Sequence, residues 1–284
     1  MPTVHLDDRS IITVEGEDAE TFLQNIITAD LSQLREGEAR PSALLSPQGK
    51  ILFDFLISRD GDDRFLLDIR VALADDFVRR LTMYKLRAKA TISKQDQAFV
   101  AVSWGDDSAL SHIDSGVRDT RFPLALDVRR FYKLPLPAAT AHENAWSAQR
   151  IESGVAESGL DYTAGDAFPH DVLLDENGGV GFKKGCYIGQ EVVSRMQHRG
   201  TARRRVMIAS GALPLPGTEI VAGGKSVGTL GTVVAGTGLA IVRIDRVKDA
   251  IDTSTPITAH GVRIDLRIPP TAKYRFPDTA TEEG

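Results

Sequence analysis

Cysteine occurs once in this chain, at position 186, inside Lys183-Lys184-Gly185-Cys186-Tyr187-Ile188-Gly189-Gln190-Glu191. A sole thiol set among Lys, Tyr, Gln and Glu does not read as core filling. It can act as a nucleophile, as a transient ligand of a metal or cluster, or as a redox sensor. Lys183 and Lys184 favour its thiolate. Against these stands the small buried hydrophobe that a free cysteine often is. A nucleophile wants a base, and the nearest histidines in sequence are His170 and His198. The glycines that bracket the Cys-Tyr-Ile step allow a tight turn, or a close approach of the backbone to another group.

Three other features carry chemistry. Asp54 interrupts Ile51-Leu52-Phe53-Asp54-Phe55-Leu56-Ile57. Strand alternation puts it on the face of Leu52 and Leu56. A carboxylate there is desolvated and is a candidate acid, base or ligand anchor; the plain alternative is an edge-strand charge in water. Glu152 can accept two parallel hydrogen bonds from an amidine-like edge such as that of a pterin, or sit as a solvated helix charge. Arg195, Arg199 and Arg203 to Arg205 form a basic run. It suits an anionic tail or phosphates, or one solvated face. The chain has no G-x-G-x-x-G after a strand, no P-loop, no H-E-x-x-H and no G-x-S-x-G. Those absences argue against a Rossmann cofactor site, a nucleotide P-loop, a zincin and a serine hydrolase of the usual kind.

The elements that position these residues are legible in part. A strand at 10–15 leads into a helix whose apolar face is Ala19, Phe22, Leu23, Ile26 and Ile27. Strands at 39–45, 51–58 and 65–70 form an antiparallel meander, turned at Ser46-Pro47-Gln48-Gly49 and at Asp60-Gly61-Asp62-Asp63. Leu73, Phe77, Leu81 and Tyr84 mark a second helix, and strands near 88–93 and 98–104 follow. Residues 105–123 read as a variable connection, 129–136 as ambiguous, and 142–152 as a short helix. The weakly periodic 159–182 is long for a loop, so it is expected to be functional or packed over something. From Val206 onward, short strands at 206–209, 219–221, 226–234, 239–243 and 262–266 alternate with Gly and Pro turns, as in a small β-barrel. The fold class expected is α+β.

Composition narrows the setting. With 284 residues, 42% hydrophobic and 26% charged, the chain is an ordinary globular protein of roughly one to three domains. A net charge of -5 gives no support to bulk nucleic-acid binding. A single cysteine rules out an intrachain disulfide framework and fits a reducing compartment. No uncharged apolar stretch approaches the ~20 residues of a membrane span, and the N-terminus lacks the pattern of a signal peptide. The expected location is the bacterial cytoplasm, or an organelle matrix where a transit peptide precedes this sequence.

Lys184-Gly185-Cys186-Tyr187-Ile188-Gly189-Gln190-Glu191 matches every fixed position of K-G-C-Y-x-G-Q-E. By that motif the chain resembles the YgfZ family of folate-binding proteins of iron–sulfur cluster assembly and repair, relatives of the glycine cleavage T-protein. Phe22-Leu23-Gln24, Ser46-Pro47-Gln48-Gly49-Lys50 and Arg150-Ile151-Glu152-Ser153-Gly154 resemble its F-L-Q, S-P-x-G-K and R-I-x-x-G elements. The resemblance implies a three-domain ring of the aminomethyltransferase type around a channel for tetrahydrofolate. The first α+β part would be 1–45 with 125–203, the second 46–124, and the barrel 204–284. It also implies Cys186, Lys184 and Asp54 as the reactive set, and Glu152, Tyr187, Gln190, Glu191, Arg195 and Arg199 as the folate-binding set. No resident metal is implied. The T-protein's acidic pair after two glycines reads here as Phe53-Asp54, with Lys50 in place of the second glycine. The motif cysteine therefore points to the YgfZ branch: an accessory factor for iron–sulfur enzymes or cluster carriers, supporting cluster-dependent tRNA modification indirectly. It implies no direct contact with nucleic acid or membrane. A folate-dependent one-carbon transferase is the alternative.

Overall fold

The computed structural model describes residues 1–96, 99–105 and 116–277. Most of the expected connection at 105–123 therefore lies outside the described residues. In the described part, nine strands make one mixed sheet: β1 Thr3–His5, β2 Arg9–Glu15, β3 Glu38–Leu45, β4 Ile51–Arg59, β5 Arg64–Arg70, β6 Thr91–Lys94, β7 Ala101–Ser103, β8 Val117–Asp119 and β9 Arg129–Phe131. Their order is β1-β7-β9-β8-β3-β4-β5-β2-β6. All neighbours are antiparallel except β3 and β8. The expected meander forms its centre. The β3–β4 hairpin pairs Ala43 with Asp54 and straddles residues 45 and 46, so one sheet runs across that expected division.

Alternation along the strands sorts their side chains into two cores. On one face Ile12, Val14, Phe53, Phe55, Phe65 and Leu67 pack against α1 (Ala19–Gln24) and α2 (Val71–Lys85). Phe77 of α2 meets the rings of Phe53 and Phe55 at 5.1 and 4.9 Å between centroids. On the other face Ile11, Leu66 and Val102 pack with Trp104, Phe122 and Trp146, the last from α3 (Glu143–Glu152). The first helix is shorter than its apolar period implies. It stops at Gln24, and Ile26 and Ile27 are buried in the turn that follows.

The stretch from Ser153 to Leu174 is mostly buried and lies over the inner end of β4. Ile51 N–H donates to Ala167 O at 2.9 Å and Gly165 N–H to Ile51 O at 2.6 Å. The loop is long because its backbone finds partners in the sheet. A helix with no clear period, α4 (Gln190–Arg199), follows the cysteine motif. It buries only Val193 fully, so no periodic apolar signal marks it.

The C-terminal part is a closed six-stranded barrel: β10 Arg204–Gly211, β11 Glu219–Ala222, β12 Lys225–Val234, β13 Thr237–Arg243, β14 Ile257–Ala259 and β15 Val262–Arg267, with α5 (Ile244–Asp252) between β13 and β14. Closure removes the free sheet edges. Met207, Ile220, Leu230, Ala240 and Val242 fill it. A separate core of Leu45, Ile51, Tyr162, Leu173, Val206 and Ile241 joins barrel to sheet. Among the described residues no helix is long and apolar enough to cross a membrane.

Candidate functional site

The cysteine loop is built by two interlocked motifs. Gly189 has φ +80° and caps α4. A Cβ added there would lie 2.5 Å from Ser46 O and 3.0 Å from Gly49 Cα. Gly49, at φ +78°, would in turn press on Val192 Cβ at 3.0 Å. The Ser-Pro-Gln-Gly turn and the N-terminus of α4 thus touch backbone to backbone, and only glycine permits it. Gly185 differs: its φ is not positive and an added Cβ would meet nothing within 4 Å.

Lys184 is the second anchor. Its ammonium donates to Ile27 O at 2.8 Å and to Ala29 O at 2.7 Å, and it stands 5.2 Å from the centre of the Tyr187 ring. Burial pulls its pKa down to about 8, with Asp30 opposing. The same segment is held by Thr28 Oγ1, which donates to Gly179 O at 2.6 Å, and by Gly181 N–H to Thr28 O at 2.8 Å. Tyr187 is buried in the sheet–barrel core; its hydroxyl has no partner among the described residues, and burial raises its pKa to about 12. Lys50 acts like Lys184. It donates to Asp166 O at 2.6 Å and lies 3.5 Å over the Phe168 ring. Cys186, between these anchors, is exposed.

The expected site residues do not all gather here. Lys184, Cys186, Tyr187 and Gln190 share the loop and the start of α4, where Gln190 N–H donates to Tyr187 O at 3.2 Å. Glu191, Arg195 and Arg199 are exposed on α4, Glu191 and Arg195 paired with each other. Glu152 is exposed at the end of α3 and paired with Arg267 of β15. His198 is exposed. His170 is buried, its Nε2 3.1 Å from Gln197 Oε1, and desolvation lowers its pKa to about 4. No hydrogen bond among the described residues joins either ring to Cys186.

Asp54 lies in a different place, under the buried loop. Its carboxylate accepts from Ser158 N–H at 3.1 Å. Burial raises its pKa, and Glu157 adds to the rise while Ser158 and Arg9 oppose it. The crevice beside it, lined by Arg9, Ser42, Arg121, Glu157, Tyr162 and Asn177, measures about 20 Å³. That is room for about one water, whereas ring-bearing ligands occupy clefts of roughly 300 Å³ or more. Among the described residues the Tyr162 hydroxyl has no partner of good hydrogen-bond geometry, though the Asp54 carboxylate lies beside it. The polar groups suit a pterin edge, but the space does not admit one with the side chains as they stand.

An ion network closes that crevice, and no local pattern in the sequence links its members. Asp68 accepts from Arg9 Nε at 2.6 Å, Arg130 Nη1 at 3.2 Å and the Tyr132 hydroxyl at 3.1 Å. Asp119 takes Arg121 at 2.7 Å and Arg130 at 3.3 Å, and Glu157 takes Arg121 at 3.0 Å. The cations hold the Glu157 carboxyl well below the usual range despite its burial. Asp68 carried the same signal as Asp54, a carboxylate inside an apolar strand. Its arginine partners come from distant strands and left no local mark.

Comparison with known proteins places this geometry. Residues 7–107 match the GCVT N-terminal domain and 203–274 match the CAF17 C-terminal β-barrel domain. The chain is 32% identical over 237 residues to an iron–sulfur cluster assembly factor IBA57 homologue, mitochondrial, of Chaetomium globosum, covering 71% of this chain and 54% of the relative. It is 28% identical to the mouse iron–sulfur cluster assembly factor IBA57, covering 88% and 80%. It is 28% identical to the Escherichia coli tRNA-modifying protein YgfZ, covering 81% and 79%. The chain spans about half the length of the fungal relatives it matches. In structure it superposes on the glycine cleavage aminomethyltransferase T of Bartonella henselae with a TM-score of 0.70 over 97% of this chain and 87% of the other, at 18% identity. The fold is therefore that of the aminomethyltransferases. A GCVT N-terminal domain and a CAF17-type barrel are thus matched on either side of the Lys184–Glu191 motif, and the chain is similar to the IBA57 and YgfZ proteins.

Proposed function

We propose that this chain is an accessory factor in the assembly or repair of iron–sulfur proteins and acts through Cys186. The observation that carries the reading is an exposed thiol on a loop held by Lys184 on one side and by the Gly189–Gly49 contact on the other. Such a loop offers a ligand to another molecule at little ordering cost. As a thiolate, its proton released to solvent, Cys186 coordinates one iron. A cluster takes four protein ligands as a rule, so the other three come from a partner: an iron–sulfur enzyme, a cluster carrier or a small thiol. The names of the relatives support this class of partner, and the name of the bacterial relative supports an effect on tRNA modification. The compartment proposed is the bacterial cytoplasm or an organelle matrix.

Tetrahydrofolate is the ligand implied by the GCVT-type fold. Asp54 and Tyr162 offer it hydrogen-bond partners, but a void of about 20 Å³ does not fit it with the side chains as they stand. The rival reading, a folate-dependent one-carbon transferase, has the buried Asp54 in its favour and requires turnover of a methyl or aminomethyl donor. The deciding experiment is complementation in cells lacking the chain, reading the activity of iron–sulfur enzymes. Cys186→Ala is expected to be folded and inactive, and Asp54→Asn to be active. Full rescue by Cys186→Ala would overturn the thiol's role, while loss in Asp54→Asn with turnover of a one-carbon donor would favour the transferase.

A further inference from the structure

We propose that the cleft between α4, α5 and the C-terminal segment binds a small organic polyanion of about nucleoside-diphosphate size. This goes beyond the function proposed above and does not rest on it. The cleft measures about 800 Å³, within the range of small-molecule sites and far larger than the crevice at Asp54. Met196 of α4, Ile244 of α5, Tyr274 and Pro277 give it apolar and aromatic surface.

Five cations from three segments line it: Arg203 and Arg205 at the start of the barrel, Lys248 on α5, and Lys273 and Arg275 of the C-terminal segment. The basic run seen in the sequence resolves here into unequal parts. Arg204 is bound to Asp166 at 2.9 Å and Arg205 to Asp175 at 2.8 Å. Arg203 stays largely exposed, and its only ion pair among the described residues is at 3.9 Å, to Asp245. The acids of the cleft are largely engaged. Asp175 holds Arg205, Asp245 holds Arg243, and Glu176 accepts from Lys273 N–H. Lys248 pairs with Asp252, and the Lys273 ammonium reaches only the Glu176 carbonyl, at 3.3 Å. Arg275 has no ion pair, and Asp249 no side-chain partner, among the described residues. Cations that converge on one cleft repel one another, and an anion between them relieves that repulsion. The apolar floor selects an anion that also carries a ring.

The test is calorimetric titration of the full chain at low ionic strength with ADP and with pyrophosphate. ADP is expected to bind one per chain, more tightly than pyrophosphate, and to weaken as salt is added. Arg203→Ala combined with Arg275→Ala, both exposed and outside the packed cores, is expected to lower the ADP affinity by roughly tenfold or more with an unchanged melting temperature in the absence of ligand. The proposal is overturned if neither probe binds at millimolar concentration, or if the double variant binds ADP as the wild type does.

Discussion

At the scale of single residues, the chain separates a reactive position from buried titratable ones. Cys186 is exposed, whereas His170 is buried with its pKa near 4. An imidazole ordinarily titrates near 6.5. Between those values the unfolded chain binds a proton that the folded chain refuses, so the contribution of His170 is present above pH 6.5 and is lost as the pH falls toward 4. The shift corresponds to roughly 3 kcal/mol. Asp171 next to it works in the opposite sense, because burial raises its pKa to about 6 and the folded chain gains stability as the pH falls from there. A comparison of the wild type with His170→Asn cancels the Asp171 contribution. The stability advantage of the wild type in urea unfolding is expected to shrink by roughly 3 kcal/mol from pH 7 to pH 4. An advantage that stays constant with pH would mean that the folded imidazole titrates normally.

At the scale of elements, the cysteine motif is mostly an assembly device. Lys184 ties it to the turn after α1, Tyr187 to the sheet–barrel core, and Gly189 to the turn between β3 and β4. The motif's two glycines have different duties. Gly189→Ala places a Cβ 2.5 Å from a carbonyl oxygen at a left-handed φ, and is expected to cost more than about 2 kcal/mol of unfolding free energy. Gly185→Ala meets open space at an ordinary φ, and is expected to stay within about 0.5–1 kcal/mol of the wild type. Denaturant titration of both variants checks the ordering; equal losses would refute the division of roles.

At the scale of the whole molecule, sheet and barrel are joined by an apolar core, and the sheet's second face is crossed by the Arg9–Asp68–Arg130–Asp119–Arg121–Glu157 network. Arg130 is fully buried and lies 5.2 Å from the Trp146 ring centre. Removing it strands the Asp68 and Asp119 carboxylates without a shared cation. Arg130→Ala is therefore expected to cost roughly 3–5 kcal/mol, while Arg130→Met with Asp68→Leu recovers part of the loss by removing charges together. Equilibrium unfolding of the two variants measures this; a loss under about 1 kcal/mol in Arg130→Ala would mean that the network is solvated.

Local pattern determined much of this protein. The period of two in the meander, the Gly and Pro spacing of the barrel and the composition of the cysteine motif were all readable, because each depends on near neighbours along the chain. The α4 helix was not readable, since a helix that buries one residue fully has no apolar period. The extension of that meander through β8, β9, β7 and β1 into one nine-stranded sheet rests on pairings between distant segments. In the sequence Lys184 is a cation two residues from a thiol, and only the fold brings the carbonyls of Ile27 and Ala29 to it. Only tertiary structure decided which arginines stay free and which disappear into ion pairs, because an arginine's partner lies wherever the topology carries a carboxylate.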